Sequence, residues 1–161
     1  MNIRKAIKEA DPTAFEAMLV LENYGKTCTL NPLYKELIKI RASQINGCAY
    51  CLDMHTQDAL KMGESARRIF AMAVWYESHL FTEEERTLLK LTDEVTKISE
   101  TGVNDSTYNK TVELFGEKIT AQIIMLIVII NAWNRIAVST NQIYSPELAQ
   151  SPVGLENDFQ F

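Results

Sequence analysis

Apolar residues along this 161-residue chain fall at helical spacing. Leu88, Leu91, Thr92, Val95 and Ile98 follow an i, i+3, i+4, i+7 pattern, and Leu33, Leu37 and Ile40 do the same with Glu36 inserted among them. No stretch alternates apolar and polar residues between turn residues, so no strands are predicted. The punctuation is helical too. Asp11-Pro12 and Asn31-Pro32 each set a capping residue before a proline. Thr82, with Glu85 three residues on, makes a capping box, and Gly63 and Gly116 stand where helix C-termini are expected. The pattern predicts helices over roughly residues 12–24, 32–45, 48–62, 65–77, 83–99, 105–115 and 117–142. The expected fold is therefore all-α, a single domain of about six to seven helices. A domain of this length buries enough surface to hold without disulfide staples. It is expected to occupy residues 1–145. Residues 146–161, with two prolines and a glycine, are expected to form a C-terminal arm, loose or packed on a neighbouring subunit.

Composition narrows the setting. Hydrophobic residues make up 47% and charged residues 23%, which excludes wholesale disorder. Lys plus Arg is 16 and Asp plus Glu is 21, so the net charge is −5. That sign disfavours nucleic-acid backbones and anionic membrane surfaces as partners. The first twenty residues carry Glu9, Asp11 and Glu16 and no long apolar core, so no secretory signal is expected. The longest nearly pure apolar run, Ile123 to Ile130, is short of the roughly 20 residues of a membrane helix and is expected to be a buried core helix. The expected compartment is a reducing cytoplasm. There a CxxC is more often catalytic or metal-binding than structural.

The candidate chemistry is clustered. Cys48, Cys51 and His55 are spaced i, i+3, i+7 and share one helix face, which Leu52, Ala59 and Met62 continue toward the expected core. Gly47 is expected to open this helix, with both cysteines in its first turn, where unpaired N–H groups and the helix dipole favour a thiolate. A thiol of pKa about 8.5 is about 3% ionised at pH 7, and one of pKa about 6 is roughly 90% ionised. The two sulfurs could also close a disulfide across one turn. Glu36 lies on the apolar stripe of the preceding helix, an unusual place for a glutamate. Burial there is expected to raise its pKa toward neutrality and suit it to proton transfer with His55. Spacing alone leaves three readings open: redox chemistry, a zinc site of Cys48, Cys51, His55 and Glu36, and inert packing.

The segment from Glu36 to Gly63, ELIKIRASQINGCAYCLDMHTQDALKMG, resembles the carboxymuconolactone decarboxylase family in its AhpD-like alkylhydroperoxidase branch. FTEEERTLLKLTDEVT from Phe81 and INAWNRIAV from Ile130 are similar to the same branch, so the resemblance spans about residues 30–140. It implies an AhpD-like helical bundle, a homo-oligomer and a peroxidase cycle with no cofactor and no metal. Cys51 would be the peroxidatic thiolate, Cys48 the resolving cysteine, and His55 with Glu36 the proton relay. A hydroperoxide would be the substrate. An external dithiol, of lipoyl type in the branch's prototype, would be the reductant. Decarboxylase members generally lack the CxxC. Tyr50 stands where the prototype has a histidine between the cysteines, so the proton network is expected to differ.

Other residues carry weaker signals. Asn131 and Asn134 share a face with Ile127 and Val138 and are expected to form hydrogen bonds between helices or subunits, with Trp133 or Asn131 as candidates for a pocket wall. Trp75 and Tyr76 are also candidate wall residues. His79 reads as surface or capping, Cys28 as an unreactive thiol in a connection, and Glu83, Glu84 and Glu85 as a solvated helix start.

Overall fold

The computed structural model describes residues 4–142, and the expected C-terminal arm lies outside them. Among these residues eight α-helices follow one another: α1 (Ile7–Ala10), α2 (Pro12–Thr27), α3 (Pro32–Asn46), α4 (Ala49–Lys61), α5 (Ala66–Ala71), α6 (Glu83–Thr96), α7 (Ile98–Thr101) and α8 (Asp105–Ser139). A 3-10 segment, Met72–Glu77, follows α5. There are no strands among the described residues, as the absence of period-two patterning predicts.

Local sequence sets most of the helix starts. Asp11 accepts from the backbone N–H of Thr13 and Ala14, and Asn31 from that of Leu33, each ahead of a proline in the first turn. Thr82 and Glu85 form the expected reciprocal box at the start of α6. Gly116 adopts φ 77° and ψ 161° and breaks α8 at the expected boundary, a conformation that only glycine reaches without strain.

Several boundaries differ from the sequence pattern. The four-residue α1 precedes the first expected helix. Helix α4 begins at Ala49 rather than 48 and ends at Lys61, which leaves Met62 exposed at 48% rather than on the core face. The helix expected over 65–77 tightens to 3-10 after Ala71, with Val74 at φ −126° and ψ 35°. The helix expected over 83–99 stops at Thr96, and Lys97 at φ −102° and ψ 34° turns the chain into α7. Helix α8 ends at Ser139, not 142, and Val138 is exposed. Propensity reads none of these, because each is decided by which neighbour the face meets.

Helices α3, α6 and α8 pack on one another, α4 packs on α3, and α2 lies against α8. The centre is apolar: Leu37, Ile38 and Ile40 of α3 meet Leu88, Leu89 and Leu91 of α6 and Ile123 and Ile127 of α8, all essentially inaccessible. Helix α8 is long and apolar enough to cross a membrane by length and composition. The sequence pattern had placed it short of that length. Here Ile123, Leu126, Ile127 and Ile130 are buried in the bundle, as expected of a core helix.

Polar side chains inside this core are satisfied. Asn46 donates to Asn131 Oδ1 at 3.0 Å and to Asn134 Oδ1 at 2.9 Å, Asn134 donates to Ser43 Oγ at 3.0 Å, and Asn131 donates to Thr96 Oγ1 at 3.0 Å. This network pins the C-terminal end of α3 to α8 and α6, the inter-helix role expected of both asparagines. Glu85 departs from expectation: it is buried, caps its own helix and pairs with Arg68. Glu83 and Glu84 are exposed.

Candidate active site

The junction of α3 and α4 builds the site. Gly47 ends α3 in the left-handed region at φ 65°, rather than opening α4 as the sequence suggests. The N–H of Cys48 then bonds the Ser43 carbonyl at 3.0 Å, and Cys48 becomes the N-cap of α4. Its sulfur accepts the backbone N–H of Cys51 at 3.3 Å. Only Cys51 is therefore within the first helical turn; Cys48 sits at the mouth of the helix, where the dipole and an oriented N–H favour negative charge on sulfur. The two cysteines form a disulfide, with Cα atoms 5.4 Å apart, and both are buried.

The two-residue link folds α4 back along α3, so the carboxylate expected near His55 arrives there. His55 Nδ1 lies 2.9 Å from Glu36 Oε2, and the two residues are 7% and 4% exposed. Lys39 Nζ holds the other carboxylate oxygen at 2.9 Å. Burial pushes the Glu36 pKa up, but the hydrogen bond and charge of His55, with Lys39, outweigh it and hold the group below the ordinary glutamate value. This corrects the expectation of a carboxyl near neutrality. Glu36 is an anion at working pH, so Nδ1 of His55 is the donor and Nε2 is the nitrogen left to exchange protons.

Cys51 and His55 both line a cavity of ≈ 470 Å³ between α2, α4 and α8. Tyr50 and Trp133 line it too, while Cys48 does not. Tyr50 is hydrogen-bonded to Gln142 and its pKa is raised by burial, so it presents a neutral hydroxyl where the prototype has a titrating imidazole. Trp133 Nε1 donates to Glu22 Oε2 at 3.0 Å. Of the other wall candidates, Asn131 is in the inter-helix network, and Trp75 and Tyr76 lie outside this cavity. His79 is exposed in a turn and Cys28 is buried, its thiol directed to the Tyr24 carbonyl at 3.6 Å.

In the disulfide form the two sulfurs of the zinc reading are bonded to each other. A different trio converges: Glu36, His55 and Asp58 each bring one ligand atom within 4.8 Å of the others. The Lys39 ammonium on Glu36 opposes a cation there. Sequence reasoning missed Lys39 and Asp58, although each lies three residues beyond a recognised group and so on the same helix face. The contributions of Phe15 and Glu22 from α2 had no local signal.

Known proteins share this chain's sequence pattern and fold. The carboxymuconolactone decarboxylase family model matches residues 12–94. YdfG of Bacillus subtilis (strain 168), an uncharacterized protein, is 39% identical over 139 residues, covering 86% of this chain and 95% of its own. A crystal structure of a protein of unknown function from Agrobacterium tumefaciens, a candidate antioxidant defence protein AhpD, superposes with a TM-score of 0.87 at 42% identity, over 89% of this chain and 99% of that one. The alkylhydroperoxidase AhpD core of a peroxidase-related protein from Ralstonia eutropha JMP134 shares the fold at a TM-score of 0.76 and 21% identity, over 87% and 75% of the two chains.

Proposed function

The chain belongs to the carboxymuconolactone decarboxylase family, and on that footing we propose that it is a thiol-dependent alkyl hydroperoxide reductase cycling Cys48 and Cys51 between dithiol and disulfide. Members of the family are enzymes of peroxidase or decarboxylase type. The observation that carries the peroxidase reading is the placement of Cys51 on the cavity wall beside a His55 held by the Glu36 carboxylate.

In the reduced enzyme, His55 Nε2 takes the Cys51 proton. The Cys51 thiolate attacks the terminal peroxide oxygen, the O–O bond breaks, and the alkoxide leaves as alcohol with the proton returned from His55. Cys51 is then a sulfenic acid. Cys48, its thiolate favoured at the helix mouth, attacks the Cys51 sulfur, forms the S–S bond and expels hydroxide, which is protonated to water. An external dithiol attacks the pocket-facing Cys51, and Cys48 leaves as the stabilised thiolate. The second thiol of the reductant then releases Cys51, so two electrons pass from dithiol to hydroperoxide per cycle. Glu36 stays ionised and holds His55 in the tautomer these transfers require. A lipoyl-type dithiol, a homo-oligomeric assembly and a cytoplasmic setting complete the proposal. A lactone decarboxylase would leave the Cys48–Cys51 pair without a role.

The test is to mix reduced protein with cumene hydroperoxide and follow disulfide formation by mass spectrometry, then to measure turnover with dihydrolipoamide. Peroxide consumption lost in Cys51→Ser is the expected result. A reduced protein that leaves the hydroperoxide untouched overturns the reading.

A further inference from the structure

Resting on that reading of the cavity, we propose that its substrate is an amphipathic hydroperoxide with an anionic head group, of the kind a fatty-acid hydroperoxide presents. The cavity volume of ≈ 470 Å³ falls within the roughly 300–1,000 Å³ of small-molecule sites. Its walls are largely apolar: Phe15 of α2, Met54 of α4 and Leu126, Ile129, Ile130 and Trp133 of α8. Hydrogen peroxide would leave these walls dewetted and unused, whereas an alkyl chain gains about 0.8 kcal/mol for each CH₂ it buries.

The charges at the same cavity are predominantly positive. Among the described residues, Lys8, Lys26, Lys35 and Lys39 line it against one acidic residue, Glu22, whose carboxylate accepts from Trp133. This inverts the sign of the chain as a whole, which is −5. Two of the four ammonium groups are committed: Lys35 donates to the carbonyls of Gly25, Lys26 and Cys28, and Lys39 to Glu36. Lys8 and Lys26 are exposed, and neither has a carboxylate partner among the described residues; Lys8 lies over the Phe15 ring, 5.7 Å from its centre. An apolar chain lying against Phe15 and reaching Cys51 would thus carry its carboxylate in the field of these lysines, Lys8 beside Phe15 at the start of α2 and Lys26 at its end. A low-dielectric wall beside them focuses their field on such a head group.

The experiment uses the full chain with saturating dihydrolipoamide and compares linoleic-acid hydroperoxide with its methyl ester, at low and high salt. A second arm titrates decanoate and decanol into the oxidised protein by calorimetry and needs no turnover. The expected kcat/KM for the acid exceeds that for the ester about tenfold, and added salt erodes the difference. Lys8→Gln/Lys26→Gln removes most of the preference for the acid over the ester. Equal rates for acid and ester, or decanoate bound no tighter than decanol, overturn the proposal. Selective decanoate binding with neither hydroperoxide reduced overturns the peroxidase reading instead and supports the anionic amphipath as the ligand.

Discussion

His55 Nδ1 and Glu36 Oε2 meet at 2.9 Å across the interface of α3 and α4, both side chains buried. With Nδ1 committed to the carboxylate, Nε2 is the imidazole nitrogen left for proton exchange. Glu36→Gln keeps the shape but not the anion, so it loses the tautomer bias. The expected outcome is a loss of roughly 100-fold in kcat/KM for hydroperoxide, within the range for general acid–base groups, with an unchanged helical spectrum. Steady-state kinetics with a dithiol donor checks it; a loss under threefold would remove Glu36 from the relay.

The same pair makes folding pH-dependent. The Glu36 pKa is depressed in the folded state. Its stabilisation is therefore full above the unfolded value of about 4.3 and is lost as pH falls through the lower folded value. Urea midpoints between pH 6 and pH 3 should fall steeply at the acid end, and less steeply in Glu36→Gln. Parallel curves for the two proteins would contradict the assignment.

Cys48 caps α4 through its sulfur. Serine is a good N-cap and alanine is a poor one, the difference being typically about 1 kcal/mol. Cys48→Ser should therefore be more stable than Cys48→Ala by about that amount under reducing conditions. Both should stop after one turnover, leaving Cys51 as a sulfenic acid that dimedone traps. Equal stability would deny the sulfur a capping role.

Asn46 bridges Asn131 and Asn134. Asn46→Ala removes the donor from the buried Asn134 Oδ1 and should cost about 1–3 kcal/mol in urea denaturation. Since Asn46 is the last residue of α3, directly before Gly47 and Cys48, hydrogen exchange at the start of α4 should rise as well.

Much of the site was legible in the chain because its order is local. Cys48, Cys51 and His55 lie within eight residues, and helical phasing puts Cys51 and His55 on one face, with Cys48 as the cap just before it. Glu36 drew notice as a charge on an apolar stripe, and it is buried where the stripe points. The start of α4 was misread by one residue, because Gly47 could either open a helix or close one, and the carbonyl of Ser43 decides. The ionisation of Glu36 was misread in direction. Burial could be inferred from pattern, but the opposing effect of Lys39 and His55 depends on two distances that no periodicity encodes.

By itself, then, the sequence determined the long helices, the caps at Asp11, Asn31 and Thr82, the break at Gly116 and the grouping of Cys48, Cys51 and His55, all of which follow from contacts a few residues apart. Tertiary structure decided what that cluster faces. Phe15, Lys26 and Trp133 share a cavity with Cys51 only because α2 lies on α8 and α4 folds back on α3. The cavity, its apolar walls and its inverted charge are products of packing between segments distant in the chain.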